Sequence, residues 1–496
     1  MSRSPRSVRR SARHVLIIVQ NLPVPLDRRV WLECQALRAN GYDVSVICPK
    51  GPGDPSRQVI EGVHVYKYRP PPAAKGALGY ALEFLYCWLR TAVLSVAVWR
   101  RQPFHALQAC NPPDTYWLLA RLWKRRGVRF VFDHHDLNPE LFLSRFGRPA
   151  SVRERWELSA LSWLERQTFH TADRVISTND SYRRVALTRG GCRPGSVKVV
   201  RSGPDTTSMR PLVPEERPAD DQFVLAYLGI MGPQDGVDTV LDVMEELVRG
   251  RGRRDVRAVL MGFGDCFDDL RADCVTRGLD DVVTFTGRVD RAQIAEHLSV
   301  ADVGLCPDAK SPLNDVSTMN KTMEYMAYAL PSVCFDLTET RVSGGDTVLY
   351  ASPGDVSAFA DHVERLLDDE DLRVTLGLRA RERVREHLDW SRQAAVYVSV
   401  FRDLLGTVQP LPRPRTVSSS ARAGDPSRDG LGRAYVDLSD EAGLATYVRD
   451  RGRRPARAAG DRMPAPFDGT DPRVAGVRVV QPRAGSAPET VASTPK

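Results

Sequence analysis

Near the start of a helical period, the segment "NDVSTMNKTMEYMAYALPSVCFD" at 314–336 sets a lysine and a glutamate three residues apart, Lys321 and Glu324. Residues at that spacing share a helix face. Ser317 or Asn320 can cap such a helix, whose free N–H groups and positive dipole end invite an anion. Lys321 adds a full charge to the first turn, and Glu324 suits two neighbouring hydroxyls such as those of a ribose. The chemistry on offer is a grip on a nucleoside diphosphate. The plain alternative is a surface ion pair on one helical turn.

Other candidates stand at strand ends. "RFVFDHHD" at 129–136 puts His135 and Asp136 in the loop after an apolar run, where a histidine is either structural or functional. In "QNLPVPLDRRV", Arg28 and Arg29 either reach a phosphate or an anionic acceptor, or cap and solvate the first helix. No GxGxxG follows the first strand, which argues against a nicotinamide or flavin enzyme. Gly262 and Gly264 in "LMGFGD" fit a tight strand-to-helix turn as well as a phosphate loop. No DxD-type carboxylate cluster occupies a suitable loop, so neither a metal nor another cofactor is expected.

These residues need a scaffold that presents strand ends. From residue 14 short β-branched runs alternate with helical periods: "HVLIIVQN", a helix closed by Gly41, "YDVSVICP", and so on to "SVKVVRSGPD". Strands followed by crossover helices imply a parallel, doubly wound sheet. The charged stretch 213–222 reads as a linker, after which "FVLAYLG" opens a second series. The expectation is an α/β protein of two Rossmann-like domains facing across a cleft, 14–212 and 223–385. A helix at 386–406 is expected to cross back to the first. Residues 1–13 read as a basic disordered N-terminus and 407–496 as a disordered tail; the tail holds 11 of the 35 prolines, and only "DLSDEAGLATYVRD" looks helical.

The net charge of +8 sits in these ends, since 14–406 carries 50 basic and 52 acidic residues. A nucleic-acid partner is therefore not expected. Nine cysteines without CxxC or Cys/His ligand spacing fit buried thiols in a reducing compartment, and "VLIIV" is too short for a signal-peptide core. The stretch 76–99 has the length of a membrane span but carries Glu83 and Arg90, which makes it an amphipathic helix. It either packs in the core or also rests on an anionic inner leaflet. Cytoplasmic localisation is expected, peripheral at the membrane in the second case.

"NKTMEYMA" followed by "ALPSVCFD" resembles the donor-site helix of retaining glycosyltransferases of family 4, which have the GT-B fold. The likeness extends over most of 14–406 and includes "DHHDLNPELF", "GIMGPQDGVDTVL" and "TFTGRV". It implies transfer of a sugar from a nucleotide-diphosphate donor, with uridine as the base, to a glycan or lipid-linked acceptor. Retention of configuration is implied, as is the subgroup that builds bacterial surface polysaccharides. By the resemblance Lys321 contacts the diphosphate, Glu324 the ribose, and His135 the transferred sugar. Domain closure is expected to assemble the site, because neither half alone holds both the donor helix and the histidine. Three segments depart from the family pattern. Val316 stands where a glutamate is usual, with Asp315 as the nearest carboxylate. Ile230 and Asp235 replace an Arg and a Lys, which leaves the phosphate to Lys321, to backbone N–H groups near Gly229 and Gly232, or to Arg288. "PVPLDRRV" replaces a glycine-rich loop. A nucleotide-sugar epimerase and a hinged ligand-binding protein are the competing readings; the epimerase would turn over donor without acceptor, and the binding protein would need export.

Overall fold

The computed structural model describes residues 13–71, 76–213, 222–407, 427–429, 431–438 and 440–451. Two compact units divide the chain: one comprises residues up to 174 with 404–408, the other 175–403 with the described residues beyond 426. The expected linker and both termini lie largely outside the described residues.

The first unit contains β1 (His14–Ile18), α1 (Arg28–Ala39), β2 (Asp43–Pro49), β3 (Arg57–Ile60), β4 (Val63–Tyr68), α2 (Gly76–Arg101), β5 (Ala106–Cys110), α3 (Trp117–Lys124), β6 (Arg129–His134), α4 (Asn138–Phe146) and α5 (Val152–Thr171). Its strands run in the order β3-β4-β2-β1-β5-β6, all parallel except β3. β1 is buried at every position, as a central strand covered on both faces must be. Strand order reverses between β1 and β5, so the loops after these strands frame the crevice where such sheets take ligands.

α2 departs from a simple core helix. Glu83, Cys87, Thr91, Ser95 and Val98 face inward, while Leu82, Leu85, Leu89, Val93 and Val96 are exposed. Glu83 and Arg90 therefore do not share one outward face as their spacing suggests; Glu83 is buried and Arg90 is in solvent. On the inner side Trp123 Nε1 donates to Ser95 Oγ at 3.1 Å.

β7 (Arg174–Ser177) begins at the unit boundary and pairs in parallel with β8 (Val197–Val199), with α6 (Asp180–Thr188) between them. The second unit continues through β9 (Phe223–Ile230), α7 (Val237–Glu245), β10 (Val256–Phe263), α8 (Phe267–Thr276), β11 (Val283–Gly287), α9 (Arg291–Val300) and β12 (Val303–Cys306). Then come α10 (Asn320–Ala327), β13 (Ser332–Phe335), α11 (Thr338–Gly344), β14 (Leu349–Ala351), α12 (Val356–Asp368), α13 (Glu370–Arg383) and α14 (Trp390–Leu405). Its six-stranded sheet has the order β11-β10-β9-β12-β13-β14. The reversal lies between β9 and β12, and their C-terminal loops begin at Met231 and Pro307. Both units thus have the doubly wound α/β architecture read from the sequence.

Part of the C-terminal tail is ordered. α15 (Glu441–Asp450) forms where a short helix was expected and packs on α13, with Val436, Leu444, Tyr447 and Val448 buried against Ala329 and Val374. Four apolar side chains supply a contact that the polar average composition of the tail conceals. Residues 408–426 and 452–496 of the tail lie outside the described residues.

Candidate functional site

In the second unit Lys321 is buried in the first turn of α10, and its Nζ lies 2.5 Å from Asp308 Oδ1 in the loop after β12. The ammonium also lies 5.1 Å from the centre of the Tyr227 ring. Burial works against its charge, but Asp308, with Tyr227 and Asp235 beyond it, holds the lysine well above its ordinary pKa. Asp308 Oδ2 is buried without a hydrogen-bond partner among the described residues. Gly229 lies against the lysine stem; a Cβ there would come within 3.2 Å of Lys321 Cε, so a side chain would crowd the ammonium. Glu324 follows one turn later, also buried.

Tyr325 fixes this helix to the sheet. Its hydroxyl accepts from Leu228 N at 2.8 Å and donates to Leu305 O at 3.2 Å, which ties α10 to β9 and β12 at the strand-order reversal. The approach to the helix is held from α6. Asn179 Nδ2 donates to Val316 O at 2.9 Å and Thr318 Oγ1 at 3.0 Å, and the Tyr182 and Ser317 hydroxyls lie 3.0 Å apart.

The helix start differs from the expected cap. Its N-cap is Met319, whose side chain cannot accept a hydrogen bond, while Ser317 Oγ donates to Leu313 O at 2.8 Å and Asn320 is exposed as the first helical residue. The first-turn N–H groups of α10 therefore have no side-chain cap. A cap at either position would have used donors that an anion otherwise meets.

The other second-unit candidates occupy varied settings. Gly232 N donates to Asp235 Oδ2 at 3.0 Å, closing the turn after β9. Gly262 and Gly264 lie where a Cβ would run into the backbone of Gly229 and Met231, so close strand and turn packing accounts for both. The Arg288 guanidinium lies 4.6 Å from the centre of the Phe263 ring, and burial lowers its pKa. Asp315 accepts from Thr338 N and Oγ1, each at 3.0 Å, and holds the start of α11 to the loop. Asn314, next to it, donates to Gln234 O at 2.7 Å and so joins the loops after β9 and β12.

In the first unit His135 is part of a buried polar cluster. Its Nε2 lies 2.8 Å from Asp133 Oδ2 and 3.0 Å from Arg29 Nε. Arg29 also pairs with Asp133 and Glu33, each at 3.1 Å. Gln108 Nε2 donates to both carboxylates at 2.8 Å. Burial opposes the Asp133 charge, but His135 and Arg29 hold its carboxyl well below the usual range; burial and Asp133 push Glu33 well above it. Asn111 Oδ1 accepts from His135 N at 2.7 Å and Asp136 N at 3.1 Å, fixing the loop. Burial raises the Asp136 carboxyl.

Arg29 therefore neither solvates nor caps α1. Asp27 is the cap, accepting from Val30 N at 3.0 Å, and Arg29 turns inward because the buried Asp133 carboxylate requires a cation. Arg28 remains half-exposed beside it. Cys110, Asp133 and His135 offer ligand atoms within 4.8 Å of one another. The Arg29 guanidinium, bonded to two of the three, already places positive charge where a cation would bind.

The sequence did not single out Asp308, Tyr227, Asn179 or Tyr182, nor Glu33, Gln108 and Asp133. Asp308 had a usable signal, since it follows the buried strand "VGLC" at the end where such sheets bind ligands. All nine cysteines are free.

Residues 26–203 match a family model described as "Glycosyl transferase 4-like domain", and residues 222–369 one described as "Glycosyl transferases group 1". A D-inositol 3-phosphate glycosyltransferase of Kineococcus radiotolerans is 29% identical over 262 residues, 48% of this chain and 59% of that protein. An alpha-D-kanosaminyltransferase of Streptomyces kanamyceticus is 28% identical over 263 residues, 51% of this chain and 65% of that protein. The chain thus spans less than two thirds of these relatives' length. Among solved structures, a sucrose-phosphate synthase from Thermosynechococcus elongatus superposes with a TM-score of 0.64 at 19% identity, covering 80% of this chain and all of that one. The Anabaena protein HepE in complex with UDP gives 0.55 at 13% identity over 79% of this chain and all of that one. At such identities the likeness shows the fold.

Proposed function

From its matches to a glycosyl transferase 4-like domain in residues 26–203 and a group 1 glycosyl transferase domain in 222–369, we propose that the chain transfers a sugar from a nucleotide-diphosphate donor to a hydroxyl acceptor with retention of configuration. One observation carries this reading: a buried lysine in the first, uncapped turn of α10, at the strand-order reversal of the second unit. Breaking the bond between the anomeric carbon and the diphosphate leaves negative charge on the departing oxygen. Lys321 and the free N–H groups of the helix start are set to stabilise that charge. Glu324, one turn on, takes the ribose hydroxyls. We assign His135, oriented by Asp133 and Arg29, to the sugar being transferred. No protein nucleophile is invoked; the acceptor oxygen attacks the face from which the diphosphate leaves.

UDP is the donor nucleotide of this reading, in keeping with the complex of HepE. The acceptor is a glycan or a lipid-linked sugar. Support for the lipid-linked form comes from the first unit, where α2, α3 and α5 lie side by side. Trp99 and Trp123 are 4.9 Å apart between ring centres, and Trp117 and Trp163 are 5.7 Å apart. These helices expose Leu89, Val93 and Val96, Leu118 and Leu122, and Trp156 and Trp163, with Arg90, Arg125, Arg126, Arg153 and Arg155 also exposed. Apolar side chains among arginines suit the surface of an anionic leaflet.

A thermal-shift panel of nucleoside diphosphates and their sugars tests the donor, because a ligand that binds only the folded form raises its stability with concentration. UDP and a UDP-sugar are expected to shift the melting temperature upward; no shift with any nucleotide would remove the reading. Flotation with anionic and neutral liposomes tests the lipid surface, with binding expected to the anionic ones alone.

A further inference from the structure

The last turn of α10 is irregular in a way its sequence does not suggest. Leu330 N donates to Tyr325 O and Ala329 N to Met326 O, each at 3.0 Å, which closes the helix in the double-bonded turn that normally has glycine at the left-handed position. Here that position is Ala329, at φ 51°. An alanine is strained there, and the surroundings must hold it.

Two buried arginines do so. Arg381 Nη1 donates to Ala327 O. Arg451 Nη1 donates to Ala329 O at 3.1 Å and its Nη2 to Tyr328 O. Together they satisfy carbonyls that the helix end leaves without partners, and they set positive charge at its negative pole. Arg451 follows α15, in the tail rather than in either sheet-bearing region.

A continuous seam fixes the tail segment. Val213 N donates to Ala434 O at 2.8 Å and Val436 N to Pro211 O at 3.0 Å, and the Arg210 guanidinium covers the Tyr435 ring at 3.9 Å. Tyr447 Oη donates to Ser299 O at 2.6 Å. Gly377 on α13 leaves room for Val448 and the Ala329 carbonyl, where a Cβ would collide.

We infer that the described residues of the segment 427–451 form a positioning element of the donor site, acting through Arg451 on the C-terminal end of the helix whose first turn carries Lys321. It rests on the donor-site reading above. The helix is eight residues long, so its end and its first turn move as one body. Loss of the arginine frees the strained turn, and the displacement reaches Lys321.

The test compares the full chain with Arg451→Ala, Arg451→Lys and, as a control, Arg449→Ala, which removes only a partly exposed pair with Glu370 at 3.0 Å. Dissociation constants for UDP are read by calorimetry and amide exchange by mass spectrometry. Arg451→Ala is expected to weaken UDP about tenfold, the scale of losing charge-assisted hydrogen bonds, and to speed exchange at 324–330. Arg451→Lys, which keeps the charge and the fold, is expected to fall between. Arg449→Ala is expected to match wild type. Equal UDP affinity and equal exchange at 324–330 in wild type and both Arg451 variants would overturn the inference. So would a rise in exchange spread evenly over the second unit. Failure of the wild type to bind UDP strikes at the donor reading instead, and the exchange arm still decides whether Arg451 holds the helix.

Discussion

Lys321 Nζ and Asp308 Oδ1 lie 2.5 Å apart with both side chains buried, so the cation assigned to the diphosphate already has a partner. A ligand phosphate therefore competes with a carboxylate for the ammonium. Both changes at this pair have consequences of known sign.

Lys321→Ala removes the charge meant for the diphosphate. UDP affinity is expected to fall about 10- to 100-fold, the range for a lost charge-assisted contact in a dry site. Calorimetric titration checks this, and an unchanged dissociation constant would withdraw the assignment.

Asp308→Asn does the opposite to the pair. The empty protein keeps a buried ammonium with a weaker partner and is expected to melt lower, while UDP supplies the missing charge. The shift in melting temperature on adding UDP should then exceed that of the wild type, and a smaller shift would show that Asp308 itself assists the ligand.

Arg29→Ala in the first unit strands the buried Asp133 carboxylate and removes the partner of Glu33. A loss of roughly 3–5 kcal/mol in urea unfolding is expected, as for other broken buried pairs. Arg29→Lys should recover only part of it, because one ammonium cannot span Asp133, Glu33 and the His135 ring.

Asp114 gives the first unit a pH dependence. Burial pushes its carboxyl up to about 8, with Glu165 adding to the shift, and Asn138 Nδ2 donates to it. From about pH 4, its unfolded value, to about 8 the folded state holds more protons than the unfolded one. The stabilisation is thus whole at low pH, declines across that window and is lost above it. Asp114→Asn should flatten the decline and raise the melting temperature at pH 8 by about 2–4 °C for each kcal/mol recovered. Parallel melting curves for the two proteins between pH 6 and 8 would contradict it.

Much of the scaffold was legible because its central strands are unbroken apolar runs such as "HVLIIV" and "FVLAYLG" bounded by turn residues. Lys321 and Glu324 were legible for a related reason, as their spacing fixes a shared face on any helix. The partners were not. Asp308 is 13 residues from Lys321, and Arg29 is 104 from Asp133, separations that only the folded sheet closes. The cap of α10 was misread because Ser317 and Asn320 have suitable side chains, yet Ser317 is drawn to Leu313 and Tyr182. The ordered part of the tail was half-seen: a helix was visible in "DLSDEAGLATYVRD", but not that Arg451 just beyond it meets the carbonyls of Tyr328 and Ala329.

The inverted face of α2, with its leucines outward and its glutamate inward, bears on handling the protein as well as on its acceptor. In plain buffer at high concentration the exposed leucines and valines have only each other to cover them, so particles are expected to cluster. A mild detergent that wets this face should return them to single molecules without unfolding either half.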